Sequence, residues 1–265
     1  MGRKRTDTDS DTPPSDDAGP LAGSLLRGLE ILKSFRPECP VMGNGEIAAA
    51  TGLPKATVSR LTRALTRSGS LTTDATTGKY QLSPSILSLC FTVLSNMPIL
   101  NVSHESMQQL ANISGCAVSL AYPDGLHLIY LDRSTGEAMP YFMGIGARIE
   151  IARTAAGRAY LSALPETERA HLLARLSEAY GREWKTLLPR INDCMAQIHK
   201  RGFCVVENDW KLNVRAVAAP LVSRDRRQIL AINCAGPNYS VSMERLVGEL
   251  GPRVTHLCQT LASQF

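Results

Sequence analysis

Apolar residues first recur with a helical period in "SLLRGLEILKSF", where Leu25, Leu29, Ile31, Leu32 and Phe35 fall on one stripe and Ser24 stands in the position of an N-cap. The pattern predicts a helix. After a break at Pro37 and Pro40, "GNGEIAAATG" predicts a short helix with Ile47 and Ala50 inward and Gly52 at its end. "LPKATVSRLTRALTRSG" predicts another, with Val58, Leu61, Ala64 and Leu65 inward, Pro54 near its first turn and Gly69 as its cap. Two short helices joined by a glycine-containing turn are the helix-turn-helix signature. Directly after them "SLTTDATTGKYQL" places Leu71 and Thr73 before a turn from Asp74 to Gly78, then Tyr80 and Leu82, which predicts a β-hairpin. A helix-turn-helix followed by a hairpin is the winged form. Its second short helix enters the DNA major groove, and the hairpin reaches the backbone or minor groove.

"SPSILSLCFTVLSNM" then predicts a linker helix, residues 83 to 98, with Ile86, Leu89, Cys90, Val93, Leu94 and Met97 at helical spacing. It is apolar around much of its girth, so it packs either on its own chain or on the equivalent helix of a second copy. From Ile99 the pattern becomes mixed. "NVSHESMQQLANISG", "TAAGRAYLSAL", "PETERAHLLARL" and "EWKTLLPRINDCMAQIHKRG" read as helices, and "CAVSLAYPDGLHLIYLD" as two strands about a turn. "FCVVE", "AVAAPLVS" and "QILAINCAG" read as strands, and "VSMERLVGELGPRVTHLCQTLASQF" as a terminal helix. The fold class expected is α+β: a winged helix-turn-helix over residues 21–82, the linker helix over 83–98, and a mostly antiparallel sheet flanked by helices over 99–265. Residues 1–20, rich in Asp, Thr, Ser and Pro, are expected to be a disordered tail.

Charge sharpens the first domain more than the whole. The net charge of +5 is modest for 265 residues. Yet between residues 52 and 69 stand Lys55, Arg60, Arg63 and Arg67 and no acidic side chain, together with Thr57 and Ser59 on the polar face. Lys79 follows in the wing. Arg can fork onto guanine, hydroxyls reach bases or phosphates, and a wing lysine reaches phosphate. The candidate DNA-binding residues are therefore Lys55, Thr57, Ser59, Arg60, Arg63 and Lys79, with double-stranded DNA as the partner.

Other chemistry finds less support. There is no GxSxG, HExxH, P-loop or complete GxGxxG. The seven cysteines, at 39, 90, 116, 194, 204, 234 and 258, form no CxxC pair and read as small core residues. Cys194 and His199 are five apart, a poor helical spacing for metal ligands. No cofactor, metal site or membrane span is expected, and the N-terminus lacks the apolar core of a signal peptide, so a cytoplasmic location is expected. Three function classes remain at this point: a ligand-responsive DNA-binding regulator, a small-molecule enzyme whose Cys–His pair is spatial rather than sequential, and an oligomerisation module. The basic helix with its wing favours the first.

The fragments "SLLRGLEIL", "EIAAATGLPKATVSRL", "TGKYQL", "TAAGRAYLSAL", "KRGF", "NVRAVAAP" and "INCAGP", in this order, resemble the IclR family of bacterial transcriptional regulators. The resemblance covers nearly everything after the tail. It implies a C-terminal effector-binding domain with a curved antiparallel sheet, assembly as a dimer or a dimer of dimers, and control of catabolic or transport genes. It also implies a small organic effector in a cup between the sheet and the helix that starts near Thr154. There the N–H groups of Ala155, Ala156 and Gly157 suit an anion or a ligand oxygen. On the facing strands the resemblance places Val206, Ala216 and Ala235, with Asn233 polar and Arg215 as a possible carboxylate partner. So apolar a lining implies a bulkier, apolar or aromatic organic acid rather than a glyoxylate-like one.

Overall fold

The computed structural model of the protein describes residues 20–136, 143–210 and 213–265. The tail expected over residues 1–20 lies outside them, except for Pro20. The chain divides into two compact units, Met1–Val93 and Leu94–Phe265.

The first unit runs α1 (Pro20–Ser34), β1 (Val41–Met42), α2 (Asn44–Thr51), α3 (Lys55–Arg67), the hairpin β2 (Leu71–Thr73) and β3 (Tyr80–Leu82), and most of α4 (Ile86–Ser95). Ile31, Phe35, Met42, Ile47, Val58, Leu61 and Leu71 form its core. Gly52 ends α2 at φ +71°, a left-handed backbone that a side chain resists, and its N–H caps Ala48 O at 2.9 Å. That single residue turns the chain into α3. Three local expectations are corrected. α1 begins at Pro20, so Ser24 lies inside it rather than capping it, and its hydroxyl accepts from Arg60 Nη2 at 3.3 Å. In α2 the face beside Ile47 is completed by Ala48, and Ala50 faces solvent. In α3 the inward stripe runs Val58, Leu61, Thr62, Leu65, leaving Ala64 exposed. Thr62 can be buried among apolar neighbours because its hydroxyl bonds to Val58 O, 2.9 Å away in the preceding turn. The two-residue strand β1, too short for any alternation to reveal, extends the hairpin to the order β1-β3-β2.

The second unit holds α5 (Pro98–Ser114), β4 (Ala117–Asp124), β5 (His127–Thr135), β6 (Arg148–Glu150), α6 (Ala155–Ala163), α7 (Glu166–Tyr180) and α8 (Trp184–Arg201). There follow β7 (Cys204–Glu207), β8 (Val214–Val222), β9 (Ile229–Pro237), α9 (Met243–Arg245), a π-helical turn (Leu246–Leu250) and α10 (Gly251–Ala262). Its six strands pair antiparallel in the order β6-β5-β4-β9-β8-β7. Strand alternation divides the sheet into two unlike faces. One carries Val118, Leu120, Val217, Leu221, Leu230 and Ile232 and packs on α5 and α10. The other carries Ala121, Ala218 and Ala231 and packs on α6, which in turn packs on α8. Alanines on that second face leave room, and the room is where a ligand site can form. Of the cysteines, Cys39 and Cys90 are exposed; the other five are core residues as expected.

Candidate DNA-contacting helix and effector cup

With Val58, Leu61, Thr62 and Leu65 turned inward, the geometry of α3 sends Arg60, Arg63 and Arg67 outward at offsets of three and seven, one row along the helix. Lys55 is exposed at the first turn, and Thr57 and Ser59 are half-buried on the two flanks. Arg67 belongs to this row as well, although its basic charge alone does not place it among the candidate DNA-binding residues. Lys79 is differently placed: its Nζ lies 3.0 Å from Glu46 Oε1. The same carboxylate accepts the Gly43 N–H at 2.6 Å, one half of a capping box at the start of α2. The Gly43 N–H first, and then Lys79, holds the Glu46 carboxyl below its ordinary range. The wing is shaped by Asp74, whose Oδ1 accepts from the N–H groups of Thr76 and Thr77 at 3.1 and 2.7 Å.

In the second unit, two adjoining chambers of about 320 Å³ and about 50 Å³ lie on the alanine face and share Tyr130, Trp210, Val214, Asn233 and Ala235. They form one cup. Its floor follows from register. Ala117 pairs with Ala235 and Ala235 with Ala216, so three neighbouring strands present methyl groups side by side. Two positions along, and so on the same face, Arg133, Ser119 and Asn233 are aligned across β5, β4 and β9. Asn233 and Ser119 are buried, and neither Asn233 Oδ1 nor Ser119 Oγ has a hydrogen-bond partner among the described residues. Buried polar atoms in that state, placed on the wall of a chamber, suit a ligand that brings them a hydrogen-bond partner. A register shift between Leu120 and Ala121 lets Tyr130 and Arg133, three apart on one strand, line the same cup. Burial pushes the Tyr130 phenol above its ordinary range, against the opposing pull of Arg133, Asn233 and Ser119. It remains a neutral donor.

Six of the residues assigned to the effector from the resemblance, Ala155, Ala156, Val206, Ala216, Asn233 and Ala235, line the smaller chamber together. Two do not take that place. The Gly157 N–H donates to Thr154 Oγ1 at 3.1 Å, the N-cap of α6, and a Cβ at Gly157 would lie 2.3 Å from Ile151 Cα. Glycine there lets the helix start sit against the Ile151 backbone. Arg215 bonds to Glu207 Oε1 at 2.7 Å and to the carbonyls of Asn238 and Val241 at 3.1 and 2.9 Å, so its guanidinium is occupied in holding β8 to its neighbours. Two cations line the cup instead, Arg133 in the larger chamber and Arg153, ion-paired with Glu150 and Glu183, in the smaller. Tyr130, Met143 and Trp210 supply the bulky walls. Sequence reasoning missed all five: the β-bulge unites Tyr130 with Arg133, and Met143, Arg153 and Trp210 come from the β5–β6, β6–α6 and β7–β8 connections.

Among the described residues no single helix is long and apolar enough to cross a membrane. A model of the IclR helix-turn-helix domain matches residues 24–75, and one of the bacterial transcriptional regulator IclR C-terminal region matches residues 91–262. The solved structure of an IclR family transcriptional regulator from Brucella abortus is 38% identical, with a TM-score of 0.83 over 91% of this chain and 92% of that one. The HTH-type transcriptional regulator TsaQ1/TsaQ2 of Comamonas testosteroni is 26% identical over 92% of this chain and 89% of its own length. An IclR homolog from Microbacterium hydrocarbonoxydans, crystallised in complex with 4-hydroxybenzoate, shares the fold at 18% identity, with a TM-score of 0.71 over 91% of this chain and 100% of that one. With both halves matched in order and a winged helix-turn-helix preceding a cupped antiparallel sheet, this chain belongs to the IclR family of DNA-binding bacterial transcriptional regulators.

Proposed function

We propose that this regulator grips its operator with the outward row of α3 as a dimer, acts in the cytoplasm on catabolic or transport genes, and responds to an aromatic or apolar carboxylate held in the cup. The observation that carries the effector class is the composition of the cup. Tyr130, Met143, Trp210 and three paired alanines offer apolar contact for a ring, while the polar lining includes Ser119, Arg133, Asn213 and Asn233 in the larger chamber and Arg153, Asp209 and the start of α6 in the smaller. The smaller chamber fits a carboxylate against the N–H groups of Ala155 and Ala156, with the ring in the larger one and Asn233 orienting it. The 4-hydroxybenzoate bound by the Microbacterium homolog is a molecule of this class. Dimerisation is supported by α4, which leaves Leu87, Leu89, Phe91 and Val93 between 59% and 71% exposed, the degree of apolar exposure that a protein partner covers. Isothermal titration with benzoate, 4-hydroxybenzoate, acetate and glyoxylate, followed by gel shifts on the DNA upstream of the gene, tests the reading. Binding of the aromatic acids with an altered shift is expected; binding of two-carbon acids alone overturns the effector class.

A further inference from the structure

The cup has more length than a single ring needs. Ala117, Ala235, Ala216 and Val206 pair in turn across β4, β9, β8 and β7, so the cup runs across the strands, which lie about 4.8 Å apart. The start of α6 stands over one end of this row: it lines the smaller chamber with Val206 and Ala216, and Ala155 O lies 3.6 Å from Cys204 Sγ on β7. Ser119 and Arg133, on β4 and β5, line only the larger chamber at the other end. From Ala216 to the strand of Ser119 is two strand spacings, about 10 Å along the sheet. A benzoate holds its carboxylate and its para substituent only one ring apart. Volume agrees with this span, because a cavity of about 150 Å³ is enough for one benzene, and the larger chamber alone has about 320 Å³.

The far end is built to meet a hydroxyl. Ser119 is 1% and Asn233 4% exposed, they are paired on adjacent strands, and both line the larger chamber with Ser119 Oγ and Asn233 Oδ1 lacking a hydrogen-bond partner among the described residues. Asn233 Oδ1 only accepts, so the group that meets it must bring a hydrogen. The Ser119 hydroxyl gives or accepts one, and the Arg133 guanidinium only gives. A phenolic O–H meets these demands together, donating to Asn233 Oδ1 while accepting from Ser119 or Arg133. A second carboxylate would instead set its oxygens against Asn233 Oδ1. At the near end the Ala155 and Ala156 N–H groups and Arg153 suit the first carboxylate, and Asp209 in the same chamber is ion-paired with Arg158 and Arg190. We infer that the effector is an elongated hydroxyaryl acid, its carboxylate carried on a short chain to the start of α6 and its phenolic hydroxyl seated between Ser119 and Asn233. This rests on the cup being the effector site.

Full-length protein is titrated by calorimetry with 4-hydroxycinnamate, 4-methylcinnamate, 4-carboxycinnamate and 4-hydroxybenzoate. The expected result is that 4-hydroxycinnamate binds most tightly, by roughly tenfold or more over 4-methylcinnamate, in which a methyl group replaces the hydroxyl and leaves both buried oxygens unmet. In Asn233→Leu the ratio between these two ligands should fall toward one; if that variant does not fold, Ser119→Ala, which removes a single oxygen, gives the same reading. Equal binding of the methyl and hydroxyl compounds by the wild type overturns the inference, because the polar row then reads no hydroxyl. Tightest binding of 4-carboxycinnamate overturns it in favour of a second anion, and tightest binding of 4-hydroxybenzoate overturns the elongated shape. In each of these cases an aromatic acid still binds and the proposed effector class stands. Silence of all four removes that class and this inference together, so the two failures are told apart.

Discussion

The outward row of α3 and the cup of the second unit are the two proposed binding surfaces, and they are built by opposite routes. The α3 row comes from thirteen consecutive residues, Lys55–Arg67, whose inward and outward faces follow from one helical period. The cup draws on β4, β5, β7, β8, β9 and the start of α6, so that Ala117 and Asn233 meet across more than a hundred positions of sequence. The first presents permanent charge to solvent, where water screens it and the cost of waiting unbound is low. The second buries Asn233 Oδ1 and Ser119 Oγ with no hydrogen-bond partner among the described residues, which offers a ligand two polar atoms to bond. A DNA surface can be open and permissive; an effector site distinguishes ligands through the groups it leaves unsatisfied.

The comparison breaks first, and with the largest effect, at the arginines. Arg60→Ala combined with Arg63→Ala should weaken operator binding by about 1 to 3 kcal/mol for each side chain that reads a base, with no change in effector titration. Gel shifts at fixed salt measure it. Retained wild-type affinity would mean that α3 is not the reading element. Next in size is the proposed dimer, which would double the weak contacts of one winged domain. Leu89→Glu with Val93→Glu, both on the exposed side of α4, should give a monomer by light scattering at micromolar concentration and lose the operator complex with it.

How legible each region was follows from the same contrast. Val58, Leu61 and Leu65 were readable as core, and Arg60 and Arg63 as outward, because a helix fixes faces by spacing alone. The errors there were local: Ala64 and Ala50 are small enough to sit in water at little cost, and Thr62 can enter a core by bonding its own helix. In the cup, period-two reasoning on β5 puts Tyr130 and Arg133 on opposite faces, and only the register shift at Leu120/Ala121 unites them. Nothing in the order of residues announces that shift. Arg215 shows the converse. It sits beside Ala216 in sequence, yet its guanidinium is consumed by Glu207 and two carbonyls, which a one-dimensional reading cannot see. The start of α6 was placed through family resemblance rather than through spacing, and within it Thr154 takes up the Gly157 N–H.

The cup is tested without touching charge. Ala235 lines both chambers, so Ala235→Leu should fill the floor where the three alanines meet. Effector binding should fall below detection by calorimetry, while operator binding without effector stays at the wild-type level. A coupling of about 1 to 3 kcal/mol between the two sites would then vanish from gel shifts with and without ligand. An unchanged ligand response would place the effector elsewhere.

The smallest effect separates cations that are available to DNA from one that is not. Lys79 was expected to meet phosphate, but it is paired with Glu46, whereas Arg60 contacts only the neutral Ser24 hydroxyl among its described hydrogen bonds. Glu46→Gln should therefore act in two directions. Releasing Lys79 should steepen the salt dependence of operator binding by about 0.9 in slope, the increment for one added phosphate contact. Stability should change the other way. The Glu46 carboxyl is held below its ordinary value when folded, so its contribution is complete above that value and disappears as pH falls through the depressed one. The glutamine variant should be slightly less stable at neutral pH, with a flatter acid limb, and should converge with the wild type once both carry a neutral side chain there. Denaturation midpoints recorded from neutral to acidic pH show this directly. A salt slope unchanged in Glu46→Gln would mean that Lys79 stays out of reach of DNA even when released, leaving the α3 row to make the contact alone.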